Sequence, residues 1–402
     1  MKILLINRWF WPDSPPQASM LRSIGGRPVE AGHEVTVLTS QPSYTAAAAR
    51  LRMPWRQELD GLQIVRYRAL PESKRNLLPR GLNLVIEVIA ILKHMVLRRR
   101  ASRYDVAVVS TMPPVLIAAA RLSCALTGAK VIYHVMDIYP EVAIVSGMAK
   151  EGLLTRCLRA IDRGNCAGAD VVVVLSDDMR DTIAGRGIST ANVRVLNNFQ
   201  LESFGSDGHL PDGLEKPEGC FRVLFAGNIG RFQGLDTVIE AFAALDDLPG
   251  LRLDILGDGV AREELQRQAG ERLSRRIFFH GYHPAQDAAR VIATADLGLV
   301  TLSPGMYRVA YPSKTMSYLA MASPLLVMVE DERALARMVR SEGVGYQSPQ
   351  GDAAALARSI RRAYGEPERL KAMRTKALRL AEREFATEVA LERWVTLFGE
   401  ME

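Results

Sequence analysis

Short, predominantly apolar and β-branched runs punctuate the chain: KILLI at the start, then EVTVLTS, DVAVVST, KVIYHVM and DVVVVLS. A strand with one face in water alternates apolar and polar residues, whereas a run that is apolar throughout has to be covered on both faces. Helical stretches separate these runs, the first from about Ser19 to Ala31, and that alternation is the signature of a parallel sheet flanked by helices. The series then reopens with RVLFAG, a helix from about Leu235 to Leu245, RLDILG, a helix from about Glu263 to Ala269, IFFHG, DLGLVTL and PLLVMV. The fold class expected is α/β, with two facing doubly wound, Rossmann-like domains. A length of 402 residues agrees, because one core stops growing at about 250–300 residues.

Residues 1–203 form the first domain, and the aperiodic stretch GSDGHLPDGLEKPEG marks a linker over 204–219. Residues 220–384 form the second domain. Residues 385–402, with Phe385, Val389, Leu391, Trp394, Val395 and Leu397 at helical spacing, form a closing helix. Ligand crevices of doubly wound sheets lie at the carboxyl ends of the strands, so a cleft between the domains is the expected site.

With 48% hydrophobic and 24% charged residues, the disordered, collagenous and disulfide-scaffold classes drop out. Cys124, Cys157, Cys166 and Cys220 form no C-x-x-C and have no His at metal-ligand spacing, which points to a reduced cytoplasmic setting without structural zinc. The first apolar run stops at Asn7 and Arg8, too short for a signal peptide. Residues 1–110 hold 17 Lys/Arg against 8 Asp/Glu, a balance of +9 that leaves −3 for the rest of a chain of net charge +6. The basic surface therefore belongs to the first domain and calls for an anionic partner. Nucleic acid is excluded as that partner, since only Tyr67 and Tyr104 interleave with the cluster.

The stretch LNLVIEVIAILKHMVLRRR (Leu82 to Arg100) is too interrupted to span a bilayer. Burial against the first sheet accounts for most of its Leu, Ile and Val, but not for the basic flank. Lys93, Arg98, Arg99, Arg100 and Arg103 make a membrane or anion face, each cation worth about 1 kcal/mol at an anionic lipid surface.

Several segments carry candidate chemistry. In FAGNIGRFQG the glycines Gly227, Gly230 and Gly234 precede a helix, where backbone N–H groups and the helix terminus meet phosphate, with Asn228 and Arg231 beside them. A tight structural turn explains such glycines equally well, and the same holds for Gly257 and Asp258 in LGDG. HVMDIYPE sets His134 at a strand end with Asp137 and Glu141 in the following loop. His suits proton handling near neutral pH and Asp137 would orient it or an acceptor hydroxyl; a core histidine is the alternative. In WFWPDSPPQAS, Pro15, Pro16 and Ser19 read as loop and N-cap, and Asp13 as an acceptor contact or a plain turn residue.

In this order and spacing, with STMPP, VLSDDM, VRVLNNF, TLSPG, YPSK, YLAMASP and SEGVGYQSPQGD, the chain resembles the retaining family-4 glycosyltransferases of the GT-B fold. The resemblance is to the bacterial branch that builds exopolysaccharide and O-antigen units, colanic-acid and N-acetylfucosamine transferases included. It implies a nucleoside-diphosphate sugar, UDP-linked in the first instance, held by the second domain. It also implies a saccharide or undecaprenyl-diphosphate-linked acceptor held by the first, and no metal or other cofactor. The residues it implicates are His134 and Asp137 in catalysis; Gly227, Asn228, Gly230, Arg231 and Lys314 at the donor diphosphate; Gly257, Asp258 and Ser317 at the nucleotide and ribose; and Asp13, Pro16 and Ser19 at the acceptor. Lys314, in YPSK at a helix start, alternatively reads as a solvated lysine.

Three departures stand out. The family's E-x7-E pair falls at Val309 and Ser317, its basic residue before the last loop glycine is Gln233 after Phe232, and its A-x-G-x-P reads Ala320 to Pro324 as AMASP. Two other functions are open: a UDP-sugar 2-epimerase-like enzyme of the same paired fold, which turns over UDP-sugar alone, and a catalytically silent nucleotide-binding partner in a polysaccharide assembly complex, which the absent glutamates and Phe232-Gln233 suggest. The expected location is cytoplasmic, peripheral on the inner face of the cell membrane.

Overall fold

The computed structural model describes residues 1–13, 16–45, 48–70, 78–97, 103–111, 113–199 and 209–402. Two compact units emerge: Met1–Ile144, Ala149–Asn197 and Glu388–Glu402 in the first, Val145–Met148 and Asn198–Thr387 in the second. The division at Asn197/Asn198 comes slightly before the sequence-based end at 203, and residues 204–208 of the expected linker lie outside the described residues.

The first unit opens with β1 (Lys2–Ile6), α1 (Pro16–Glu30), β2 (Glu34–Ser40), β3 (Arg56–Leu59), β4 (Leu62–Tyr67) and α2 (Leu78–Leu92). It continues with β5 (Val106–Ser110), α3 (Pro114–Thr127), β6 (Lys130–Val135), α4 (Glu141–Val145), α5 (Leu153–Ala167), β7 (Val171–Val174), α6 (Asp177–Gly185) and β8 (Val193–Val195). The sheet runs β3-β4-β2-β1-β5-β6-β7-β8, parallel except for β3 against β4. Strands β5 and β7 are buried at every residue, as their uninterrupted Val content requires. The direction of strand order reverses at β1 and β5, so the loops following these strands frame the switch point.

Helix α1 begins at Pro16, so Pro16 and Ser19, expected in loop and N-cap, are helical instead. Proline fits a helix's first turn, where its missing N–H has no partner to lose. Ser19 is exposed on the helix, and Ser14 and Pro15 lie outside the described residues.

Helix α2 buries polar as well as apolar residues and leaves part of its apolar content exposed. Its buried positions include three polar residues, Asn83, Glu87 and, in the wider turn Lys93–Leu97 that continues it, His94, alongside the apolar Ile91 and Met95. Each of the three is engaged: Asn83 exchanges hydrogen bonds with the Leu70 backbone at 2.7 and 3.0 Å, Glu87 pairs with Arg8 at 3.3 Å, and His94 Nε2 lies 2.7 Å from the Tyr104 hydroxyl. Leu82, Val85, Ile89 and Leu97 are exposed, from 46% to 79%, and Lys93 is exposed on the same i, i+3, i+7 stripe. Burial against the sheet therefore does not account for these apolar residues. Arg103 is exposed, and Arg98 to Arg100 lie outside the described residues.

The second unit contains β9 (Phe221–Ala226), α7 (Leu235–Ala243), β10 (Leu251–Leu256), α8 (Arg262–Ala269), β11 (Ile277–Gly281), α9 (Ala285–Ala293) and β12 (Leu297–Thr301). It ends with α10 (Lys314–Ala320), β13 (Leu325–Met328), α11 (Ala334–Glu342), β14 (Gly345–Ser348), α12 (Ala353–Tyr364) and α13 (Pro367–Leu380). All six strands are parallel in the order β11-β10-β9-β12-β13-β14, a doubly wound sheet whose switch point is β9/β12.

The final helix, α14 (Thr387–Gly399), lies in the first unit. Arg27 meets Glu388 at 2.6 Å, Lys130 Nζ donates to the Met401 carbonyl at 2.6 Å, and Trp394 is 2% exposed. A tryptophan buries about 150–250 Å², which at roughly 25 cal/mol per Å² contributes about 4–6 kcal/mol before conformational entropy is counted.

Candidate active site

In the first unit the loop after β1 is held from within. Asp13, 5% exposed, accepts hydrogen bonds from the Ser43 N–H at 3.1 and 3.2 Å and from the Tyr44 N–H at 2.9 Å. Arg66, also buried, donates to the Ser40 carbonyl at 3.2 Å and the Trp11 carbonyl at 2.6 Å. Asp13 is thus no acceptor contact: its carboxylate is turned inward and joins the loop after β1 to the loop after β2.

The expected pairing of His134 with Asp137 does not form. His134, at the end of β6, is 2% exposed, packs edge-on against Trp394 with centroids 5.1 Å apart, and its Nδ1 has no hydrogen-bond partner. Burial alone pushes its pKa down to about 4, so the ring is neutral near pH 7. Its signal in the sequence came from the strand-end position, while the tryptophan that buries it lies far away in the chain.

Asp137 is different. The Met136 N–H donates to Thr111 Oγ1 at 2.6 Å and the Asp137 N–H to the same oxygen at 3.3 Å, so Thr111, just after β5, sets the turn that carries the carboxylate. Burial raises the Asp137 pKa to about 6. Glu141, expected in the loop with it, begins α4 and pairs with Arg186 and, at 2.8 Å, with Arg159. Arg186, 7% exposed, also meets Asp162 at 2.5 Å and donates to the Tyr139 carbonyl at 3.1 Å, while the Tyr133 hydroxyl donates to Asp162 at 2.8 Å. This buried network fixes the 136–141 loop from behind. Nothing local in the sequence marks Arg186 or Asp162 as its members.

In the second unit the loop from Gly227 to Gly234 joins β9 to α7 at the switch point. Gly227 has φ +145, open only to glycine, and Gly234 has φ +66 as the N-cap of α7, with no side chain capping the helix. Gly227 and Asn228 are exposed and Gly230 is buried. The LGDG glycines answer to packing: a Cβ on Gly257 would stand 1.9 Å from the Gly227 carbonyl oxygen, and one on Gly259 would stand 2.3 Å from that of Ile229. The second turn therefore backs the first. Asp258 is exposed, its carboxylate accepting the Gly259 N–H at 2.8 Å.

Lys314 opens α10, with Nζ 2.7 Å from Gln233 Oε1 and 3.9 Å from the Phe225 ring centroid. Its Cε lies 3.6 Å from where a Gly227 Cβ would stand, so the ammonium sits over that turn. Burial lowers its pKa to about 7. The buried Tyr318, one turn further on, accepts the Ala226 N–H at 2.8 Å and locks α10 to the end of β9. Gln233, Phe225 and Tyr318 were not read from the sequence as a group; only Gln233 drew notice, as a departure from the family pattern.

Arg231 does not join Lys314. It is exposed and lines a groove of about 410 Å³ with Asp236, Glu263, Glu264 and Arg267, which Lys314 does not line and whose carboxylates oppose a diphosphate. Ser317 is partly buried on α10, and Val309, in place of the first glutamate, is a core position 3% exposed. Among the described residues no three His, Cys, Asp or Glu side chains gather as they would around a metal ion, and no helix is long and apolar enough to cross a membrane. The four cysteines are unpaired.

Comparison with known proteins gives matches along most of the chain. The family model described as "Glycosyl transferase 4-like domain" matches residues 18–198, and that described as "Glycosyl transferases group 1" matches residues 220–366. A probable glycosyltransferase, WbjE of Pseudomonas aeruginosa, is 28% identical over 296 residues, 72% of this chain and 73% of its own. A putative colanic acid biosynthesis glycosyl transferase, WcaI of Escherichia coli, is 25% identical over 367 residues, 88% of this chain and 89% of its own. Among solved structures, Anabaena HepE in complex with UDP superposes over 100% of both chains with a TM-score of 0.74 at 15% identity, a likeness of fold.

Proposed function

The chain belongs to the family-4 glycosyltransferases of the GT-B fold, and on that premise we propose that it moves a sugar from a nucleoside diphosphate, UDP in the first instance, to a saccharide or lipid-linked acceptor, with retention of anomeric configuration. The observation that carries the donor half is Lys314, a cation poised without a counter-charge over the Gly227 turn beside the uncapped start of α7. Leaving-group charge develops on the diphosphate during transfer, and a fixed ammonium with free helix N–H groups stabilises it in the place of a metal ion. The relative WcaI, named for colanic acid biosynthesis, supports a role in bacterial polysaccharide assembly, and the UDP held by HepE supports UDP as donor nucleotide. The test is the anomeric configuration of the product by NMR: the donor's configuration kept supports retention, an inverted bond overturns it, and epimerised sugar from donor alone favours the epimerase reading.

On the acceptor side, Asp137 is the carboxylate that burial tunes toward neutral pH, and it would orient or accept a proton from the acceptor hydroxyl. Its ionised form is the active one, so transfer should rise as pH climbs through about 6. Asp137→Asn is expected to lose about 10- to 150-fold in kcat, as removal of a charged hydrogen bond does, and to lose that acid limb. Rate and pH profile together check it.

A lipid-linked acceptor gives the α2 surface its purpose. The exposed Leu82, Val85, Ile89 and Leu97, with Lys93 among them, have the composition of an interfacial helix. Neutralising Arg98, Arg99 and Arg100 should weaken sedimentation with anionic liposomes on the order of a hundredfold, at about 1 kcal/mol per cation. Val85→Asn with Ile89→Asn should do likewise on neutral vesicles, and unchanged sedimentation in both would remove the membrane from the reading.

A further inference from the structure

Gln233 is 8% exposed and its own N–H is bonded to the Gly230 carbonyl at 3.2 Å, so the loop fixes where its carboxamide points. That carboxamide oxygen is the polar partner of Lys314 at 2.7 Å, and the ring of Phe225 is its other neighbour. An amide oxygen and a ring face attract an ammonium without cancelling its charge. We propose that Gln233 is the positioning residue for Lys314, holding the ammonium over the Gly227 turn as an unbalanced cation so that the donor's diphosphate supplies the missing counter-charge. This rests on the reading of Lys314 as the diphosphate's ligand.

The residue type matters. A carboxylate at 233 would satisfy Lys314 permanently and repel a diphosphate. The groups around Lys314 leave its charge to the ligand. Phe225 and the Gly227 turn come from the end of β9, Tyr318 of α10 is engaged by the Ala226 N–H, and Arg231 of the loop is exposed. Among the described residues the ammonium's hydrogen-bond partner is the Gln233 carboxamide, not a carboxylate.

The test is calorimetric titration of UDP into the full chain between pH 6 and pH 9, in two buffers of different ionisation heat. Burial holds Lys314 near 7 in the nucleotide-free protein and a bound diphosphate raises it, so binding above that pH takes up a proton. Wild-type affinity should then fall roughly tenfold per pH unit above 7. Gln233→Glu is expected to bind at least about tenfold more weakly at pH 7 and to lose the proton uptake, because its carboxylate keeps Lys314 charged. Gln233→Met, uncharged and of similar length, should weaken binding about tenfold while keeping the pH slope. If both variants bind UDP with wild-type affinity and slope while Lys314→Ala does not, the positioning role is overturned and the diphosphate contact stands. Wild-type UDP affinity in Lys314→Ala overturns the contact itself.

Discussion

Lys314→Ala is expected to lower kcat by about 10²–10³-fold, the loss typical when one preorganised group that stabilises developing negative charge is removed. The fold should not suffer with it. A lysine whose pKa burial has pushed down to about 7 is a charge the folded state holds less willingly than the unfolded chain. The unfolded chain then binds the extra proton between about pH 7 and the ordinary lysine range, so this group's contribution to stability rises with pH across that window and is at its least favourable below 7. Lys314→Met should therefore melt no lower than wild type at pH 7 while being equally inactive. Calorimetric melting and rate measured on the same preparations separate the two effects, and a variant that loses activity only because it unfolds would contradict the assignment.

The largest effect on stability is expected at Asp254, in the core of the second unit. Its carboxylate, 0% exposed, meets Arg222 at 2.8 Å, Arg252 at 2.7 Å and His280 at 2.6 Å. Arg222, itself 0% exposed, also donates to Thr294 Oγ1 at 2.6 Å and to the Leu214 and Glu215 carbonyls at 3.0 and 2.8 Å. Asp254→Ala leaves a buried guanidinium without its counter-charge, a change that costs about 3–5 kcal/mol. For a unit of this size that is a fall in Tm of roughly 6–20 °C. Burial by itself would raise the Asp254 carboxyl pKa, but the His280 hydrogen bond and the charges of Arg222 and Arg252 outweigh it and hold the group below its usual range. A depressed carboxyl contributes stability above its unfolded pKa and loses it as pH falls through the folded one, so acid destabilisation below about pH 4 should be shallower in Asp254→Asn. Melting curves from pH 3 to pH 7 decide this, and a variant that melts like wild type would show the network to be dispensable.

What could be read from the sequence followed the range of the interactions involved. Strands such as VVVV and LLVM declare themselves because burial on both faces leaves no room for polar residues, and each was expected where it stands. The β3/β4 pair was missed, since an edge strand such as RQEL carries no continuous apolar run. In helix α2 the exposed Leu82, Val85, Ile89 and Leu97 were not foreseen, because a pattern of apolar residues does not say which of them turn outward. The answer depends on Arg8, the Leu70 backbone and Tyr104, which claim its polar residues.

The site divided in the same way. The glycine turn after β9 and the helix start at Lys314 were legible as places in the fold because a loop between strand and helix is a local feature. His134 was not, because what decides its chemistry is Trp394. Asp13 is spent on N–H groups of the next loop, a geometry no spacing encodes. Gln233, which looked like a missing cation, takes its sense from Lys314, 81 residues away.

Transfer itself is tested most directly by release of nucleoside diphosphate. The purified chain is incubated with UDP-, GDP- and dTDP-linked sugars, with and without undecaprenyl-diphosphate-sugar acceptors. Release of UDP that requires an acceptor and disappears in Lys314→Ala is the expected result. UDP binding without release from any donor and acceptor pair would contradict it, and would mark the chain as a nucleotide-binding partner without catalysis.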